Sequence, residues 1–158
     1  ATQIPIRVSA TGTLGVTGAI TTTGGTGNAS SAGSNAGDVT LTGAGVTTLG
    51  ITANGSAGVT ALSNQPGGAG GVVQITSTNG VTATAIGASG GAATTTNANG
   101  GNAGSITIAN SMAGNVTVGT LTVRAGASTG TATSAAGSIN ATNTAANAFL
   151  QTGLIDTR

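Results

Sequence analysis

The chain lacks most of the side chains that carry chemistry. Its 158 residues include no Cys, His, Trp or Tyr, and neither Lys nor Glu occurs. Charged residues make up 3% of the chain, against about 25% in an ordinary globular domain. Disulfide bonds, thiolate or imidazole metal ligands, and acid–base catalysis by His, Lys or Glu are therefore excluded. The ionisable side chains are two carboxylates and three guanidinium groups: Asp38, Asp156, Arg7, Arg124 and Arg158.

The scarcity of charge and of aromatic rings also limits the partners. A nucleic-acid-binding surface needs a basic stripe, often with aromatic side chains on which bases stack. The net charge here is +1, and aromatic residues are 1% of the chain. No apolar run approaches the ~20 residues of a membrane-spanning helix. We therefore predict neither a nucleic-acid partner nor insertion into a membrane.

The two carboxylates are poor candidates for catalysis. Asp38 and Asp156 lie far apart in the sequence, and a Ser or Thr nucleophile would have no base beside it. The Asp-bearing nonapeptide of calcium-binding β-rolls is also missing. We therefore expect no enzyme, no catalytic residue, no metal site and no cofactor.

A glycine-led phrase is the most regular feature of the chain. Gly-Gly-Asn-Ala-Gly-Ser-Ile-Thr-Ile occupies residues 100–108, and similar phrases occur at 35–41, 69–75 and 136–141. Their anchoring glycines, Gly37, Gly71, Gly104 and Gly137, follow one another at about 33 or 34 residues. A repeat of this length, made of short alternating segments and small-residue turns, is typical of a solenoid.

The alternating apolar and polar residues at the end of each phrase predict strands with one buried face. The first such segment is Ile4 to Val8, in which Pro5 indicates an edge strand because proline has no N–H to donate. A second strand recurs in each copy at about 35 residues, and the similar sequences at 13–17 and 48–52 are expected to pair. The predicted core ladder comprises Ile4, Ile6, Val39, Leu41, Val73, Ile75, Ile106, Ile108, Ile139, Ile51, Ile86 and Leu121.

These patterns predict an all-β fold: a parallel β-solenoid (β-helix) of about five coils with repeats of about 33–35 residues. It forms one domain over residues 1–158, with coils beginning near residues 4, 39, 73, 106 and 139. Both helix hands stay open, and the last copy, with Phe149, Leu150, Leu154 and Ile155, fits two registers. Glycines in the long polar connectors are expected to serve tight turns at positive φ.

Polar residues that alternate with the ladder predict an outward face. Such a face could order water as ice-binding solenoids do, or bind a glycan, although plain surface threonine is the simpler interpretation. Uncapped solenoid ends predict that further coils or another subunit cover them. The predicted binding face comprises Thr40, Thr42, Gln74, Thr76, Thr107, Asn140 and Thr142, and the predicted inter-subunit contacts are Arg7, Arg124, Arg158 and Phe149.

The phrase at 100–108, with its copy at 35–41, resembles the repeats of filamentous-haemagglutinin-like large exoproteins. The resemblance extends over roughly residues 4–154 as a style of repeat. Those proteins are secreted bacterial adhesins with a right-handed parallel β-helix stalk. The resemblance implies an extracellular or cell-surface location, a fibrous shape, and a role in adhesion or biofilm matrix.

Two functional hypotheses follow. The first is a structural protein that forms part of a bacterial surface fibre, sheath or adhesin stalk by end-to-end stacking, with copies of itself as partners. The second is a binding module that holds ice or glycans, including those of cell surfaces, on a Thr/Asn-rich face.

Overall fold

The structure is a computed structural model of the protein, and it describes residues 3–26, 31–59, 64–131 and 133–157. These residues form β-strands and contain no helix. Valine, isoleucine and threonine, which fill these segments, are β-branched and pack well on a pleated surface. The strands are β1 (Ile6–Ser9), β2 (Leu14–Thr21), β3 (Val39–Gly43), β4 (Val46–Thr52), β5 (Val72–Gly87), β6 (Ser105–Thr122), β7 (Ser138–Asn143), β8 (Leu150–Thr152) and β9 (Ile155–Asp156).

The strands stack in parallel, which confirms the predicted β-solenoid. A full turn carries the chain from one level to the next, and every strand pairs with the strand one level above or below it. The first wall contains β1, β3, residues 72–77 of β5, residues 105–110 of β6, and β7. The second wall contains β2, β4, the remaining parts of β5 and β6, and then β8 and β9.

The solenoid makes about four turns, fewer than the five coils expected from the sequence. The chain passes from β1 through β3, β5 and β6 to β7, which is four steps along the axis. The fifth level therefore consists of β7, β8 and β9 without a further turn. At ~4.8 Å per step, the five levels span about 20 Å along the axis.

The first strand pairs in a different register from the one predicted. Ile6, and not Ile4, lies beside Val39, and Val8 lies beside Leu41. Ile4 precedes β1 and is 79% exposed, so its assignment to the core ladder was wrong. The reason is local: Pro5 cannot donate to the ladder, and the pairing begins when the Ile6 N–H donates to the Asp38 carbonyl at 2.8 Å.

The similar sequences at 13–17 and 48–52 do not pair residue for residue either, and Val16 lies beside Thr48 instead of Ile51. Leu14 lies beside Val46, and Ile20 lies beside Ile51, with a shift in register between Val16 and Ala19. This β-bulge inserts an extra residue into β2, which breaks the spacing that the sequence similarity predicted. Between the second and fourth levels, the spacing of 35 is confirmed, because Val46 pairs with Val81 and Val81 with Val116.

The core lies between the two walls and consists of stacked aliphatic side chains. Val39, Leu41, Val73, Ile75, Ile106, Ile108 and Leu121 are fully buried, and Ile51 and Ile86 are at most 2% exposed. Full burial of one such side chain stabilises the fold by about 1.5–3 kcal/mol. Ile6 and Ile139 belong to the first and fifth levels and are only partly buried, because each has a neighbouring level on one side only.

The third side of each coil, here called the glycine-rich side, runs from the second wall back to the first. It contains the described parts of residues 22–38, 53–71, 88–104 and 123–137. No described glycine on this side has positive φ, which overturns the expectation of glycine turns; positive φ occurs at Gly80 and Gly114, in the corner between the walls. At the connector tips, Asn64 and Asn97 adopt positive φ instead.

Glycine is needed on this side because backbones approach each other closely. A Cβ at Gly101, Gly55 or Gly71 would lie within 3.0 Å of a carbonyl oxygen in a neighbouring segment. Backbone hydrogen bonds cross between the segments at every third residue. The Gly68 N–H donates to the Ser56 carbonyl, and the Gly71 N–H donates to the Ala53 carbonyl, each at 2.9 Å. A period of three is that of an extended polyproline II-type chain. The described parts of the connectors are therefore packed, hydrogen-bonded segments.

Candidate functional site

Asp38 accepts a backbone hydrogen bond that joins two levels. Its Oδ1 accepts from the Val72 N–H at 2.8 Å, one level above. The side chains of Asn35, Asn54 and Asn102 do the same for residues 33 to 35 positions later in the chain. Asp38 thus has the same role as these asparagines, whose side-chain amide oxygens accept a backbone N–H. The contact needs an acceptor and no charge.

Asp156 belongs to the opposite end of the solenoid. It is 5% exposed, and its carboxylate forms an ion pair with the Arg124 guanidinium, which is partly exposed to solvent. Three levels separate Asp156 in β9 from Asp38 before β3, or about 14 Å along the axis. That separation exceeds the 5–10 Å, roughly, between paired carboxyl groups of glycoside hydrolases.

A column of buried polar side chains lies in the corner between the two walls. Ser77, Asn110 and Asn143 stack in register, and Ser77 and Asn110 are each 1% exposed. The Asn110 amide donates to the carbonyls of Ala113 and Gly114, and its Oδ1 accepts from the Gly80 N–H. These bonds satisfy the backbone where the chain turns from one wall to the other. Sequence reasoning missed this column, although its members recur every 33 residues.

The predicted binding face is brought together on the first wall, as two adjacent columns. It is not a continuous threonine surface: Gln74 and Asn140 interrupt one column, and Ala109 interrupts the other. Thr142 also donates to the Ile108 carbonyl at 3.3 Å, so its hydroxyl is engaged. The columns are Arg7, Thr40, Gln74, Thr107 and Asn140, and beside them Ser9, Thr42, Thr76, Ala109 and Thr142.

The residues predicted to contact other subunits lie in different places. Arg7 is on the first wall at the first level, and Phe149 precedes β8 at the fifth level with 52% exposure. Arg124 is held by Asp156, so its guanidinium has a partner within the chain. Arg158 lies outside the described residues.

A polar groove on the second wall was not predicted. It encloses about 350 Å³ and is lined by threonine, asparagine and glycine with one valine. Thr47, Thr82 and Thr117 form one side as a stacked column. These threonines recur every 35 residues in the sequence. The register of the second wall shows that this recurrence places them in one column. The lining residues are Thr13, Gly45, Val46, Thr47, Asn79, Gly80, Thr82, Asn115 and Thr117.

The two ends of the solenoid expose apolar side chains at ladder positions. At the fifth level Leu150 and Ile155 pair with the buried Val116 and Leu121, which settles the register of the last copy. Leu150 is nevertheless 44% exposed and Ile155 is 52% exposed. At the first level Leu14 and Val16 are only partly buried. Both terminal levels also leave one edge of their strands without a neighbour among the described residues.

Comparison of the chain with protein-family models, curated proteins and solved structures finds no match. Among the described residues there is no helix long and apolar enough to cross a membrane. The resemblance to haemagglutinin-like exoproteins stays an expectation from the repeat phrase.

Proposed function

We propose that the protein is a structural solenoid that forms part of an extracellular bacterial fibre, sheath or adhesin stalk by end-to-end stacking. The observation that supports this is a contrast in burial along two aliphatic columns of the second wall. Val116 and Leu121 are fully buried at the fourth level, whereas their partners Leu150 and Ile155 are about half exposed at the fifth. A further level on top would bury them in the way the fifth level buries the fourth.

Stacking of one copy on another joins two different surfaces, the fifth level of one copy and the first level of the next. Such a head-to-tail contact repeats without closing and produces open filaments. The unpaired edges of β1 and β2 and of β7, β8 and β9 supply main-chain donors and acceptors for new parallel ladders. Burial of the exposed part of each terminal aliphatic adds on the order of 1 kcal/mol.

The scarcity of charge on the exterior, where Arg7 and Arg124 are exposed, also suits a structural role. Asp38 accepts a backbone N–H between levels, and Asp156 is paired with Arg124, so both carboxylates have structural partners. The proposal therefore includes no catalytic activity and no cofactor. Its extracellular location rests on the resemblance of the repeat phrase to secreted adhesins.

The proposal is tested by electron microscopy and analytical ultracentrifugation of the chain at increasing concentration. We expect filaments whose thickness is that of one solenoid. Leu150→Asp places a charge in the end surface and is expected to abolish filaments. Leu49→Asp is the matched control, since Leu49 is 58% exposed on the side of the second wall and not at an end. A wild-type monomer at high concentration, or equal filament formation by both variants, contradicts stacking.

The second candidate function is a binding module. Ice binding would require a regular two-column threonine grid, and Gln74, Ala109 and Asn140 interrupt the first-wall face. The polar groove of the second wall favours a glycan instead. A measurement of thermal hysteresis tests ice binding, and absence of hysteresis excludes that function.

A further inference from the structure

The groove on the second wall has a backbone floor. Gly45 and Gly80 occupy adjacent levels just before the paired residues Val46 and Val81. Because neither has a side chain, a depression opens between Thr13 below and Asn115 above. The Gly80 position is restricted to glycine, since φ there is +92° and a Cβ would lie 2.9 Å from the Asn115 carbonyl oxygen. The depression is thus built into the corner of the coil.

The side chains around this floor have unused hydrogen-bonding capacity. The hydroxyl groups of Thr47, Thr82 and Thr117 have no hydrogen-bond partner in the described part of the chain, and neither does the amide side chain of Asn79. Asn115 uses its Oδ1 to accept from the Phe149 N–H at 3.2 Å, which leaves both amide hydrogens to donate. Hydroxyl and amide groups together offer donors and acceptors along the groove.

The composition of the groove defines the ligand class. None of the described residues that line it is charged or aromatic, so these residues include no group that would select a phosphate, a carboxylate or a cation. The three threonines are spaced by ~4.8 Å, one strand step, so the groove runs along the solenoid axis for about 10 Å. An uncharged, extended molecule rich in hydroxyl groups complements such a surface.

We propose that this groove binds a short segment of a neutral polysaccharide. Sugar hydroxyls donate to and accept from the Thr47, Thr82 and Thr117 hydroxyls, while the amides of Asn79 and Asn115 donate from the other side. The volume of about 350 Å³ lies at the small end of ligand sites. Without aromatic stacking or charge, the dissociation constant is expected on the order of 1 mM.

The test uses the whole chain and a neutral β-1,4-linked glucose hexamer, with binding followed by saturation-transfer NMR of the sugar protons. This measurement reports millimolar binding by monomers and by filaments alike, so it does not depend on the stacking proposal. Thr82→Val removes the central hydroxyl and keeps the β-branched shape. Thr84→Val is the matched control, because Thr84 is exposed on the same strand and lies outside the groove. Thermal melting verifies that both variants fold.

Loss of one sugar hydrogen bond is expected to weaken binding about two- to tenfold in Thr82→Val and to leave Thr84→Val unchanged. That result supports the binding of a neutral polysaccharide in the groove. Absence of saturation transfer to the wild type, or no difference between the two variants, overturns it. Stronger transfer to a uronic-acid hexamer of the same linkage overturns the neutral class of the ligand.

Discussion

The strand walls and the glycine-rich side of the same coils are stabilised by different parts of the residues. On the walls, aliphatic side chains such as Leu41, Ile75 and Ile108 fill the interior and are fully buried. On the glycine-rich side, the backbones themselves are in contact, and hydrogen bonds link the segments at every third residue. A wall tolerates a change of side-chain size at a graded cost, whereas a backbone contact has no space for even one carbon atom.

The sharpest way to test this contrast is a single methyl group on the glycine-rich side. Gly101→Ala places a Cβ against the Gly68 carbonyl group, with backbone atoms as the nearest neighbours. Because backbone cannot move aside as a side chain can, we expect a loss of more than about 4 kcal/mol in the free energy of unfolding, or failure to fold. Chemical denaturation followed by circular dichroism measures it.

Gly25→Ala is the control for this prediction. An added Cβ there meets nothing within 4 Å, and φ at Gly25 is not in the left-handed region. Reduced entropy of the unfolded chain is then expected to stabilise the fold by about 0.4–1 kcal/mol. Similar losses from Gly101→Ala and Gly25→Ala would show that the segments are not packed as described.

A second test measures the walls and compares a central level with a terminal one. Ile106→Ala removes a fully buried side chain between Val73 and Ile139, and we expect it to cost about 2–5 kcal/mol. Ile139→Ala, one level above, is expected to cost less than half as much in the monomer, because Ile139 is only partly buried. Urea denaturation at low protein concentration measures both. Equal losses in the monomer would contradict an open fifth level.

The smallest expected effect concerns an unpaired hydroxyl inside the second wall. Thr48 is 2% exposed, and its Oγ1 has no hydrogen-bond partner within the described residues. Thr48→Val keeps the shape and removes the buried polar atom, so a gain of about 1 kcal/mol in the free energy of unfolding is expected. Thr47→Val, at the exposed neighbouring position, should change stability by less than about 0.5 kcal/mol. A destabilised Thr48→Val would indicate that the hydroxyl has a partner, such as a buried water.

The sequence predicted the pairing of the central levels well and that of the first level poorly. Val73, Ile106 and Ile139 recur at a constant spacing because each must stack on the one below. At the first level, Pro5 delays pairing until Ile6, and the bulge between Val16 and Ala19 shifts the second strand. Both deviations fall on an edge level, where no strand of the described residues pairs from below to constrain the register.

The candidate groove and the polar corner could be recognised only in part. Ser77, Asn110 and Asn143 recur every 33 residues, and Thr47, Thr82 and Thr117 recur every 35, so their stacking was available in the sequence. What periodicity does not show is which column faces the interior and which one borders a depression. That depends on the corner at Gly80, where the chain turns between the walls with φ of +92°.

The sequence by itself determined the class of fold and the positions of the central aliphatic ladders, because strand alternation and a constant repeat length can be read along the chain. The scarcity of catalytic groups follows from the composition alone. Only the tertiary structure decided why glycine is so frequent. Its role on the glycine-rich side depends on the distance between segments of successive coils, as at Gly101 and Gly68. A contact between backbones leaves no apolar or charged pattern in the sequence, and it becomes visible only when the coils are stacked.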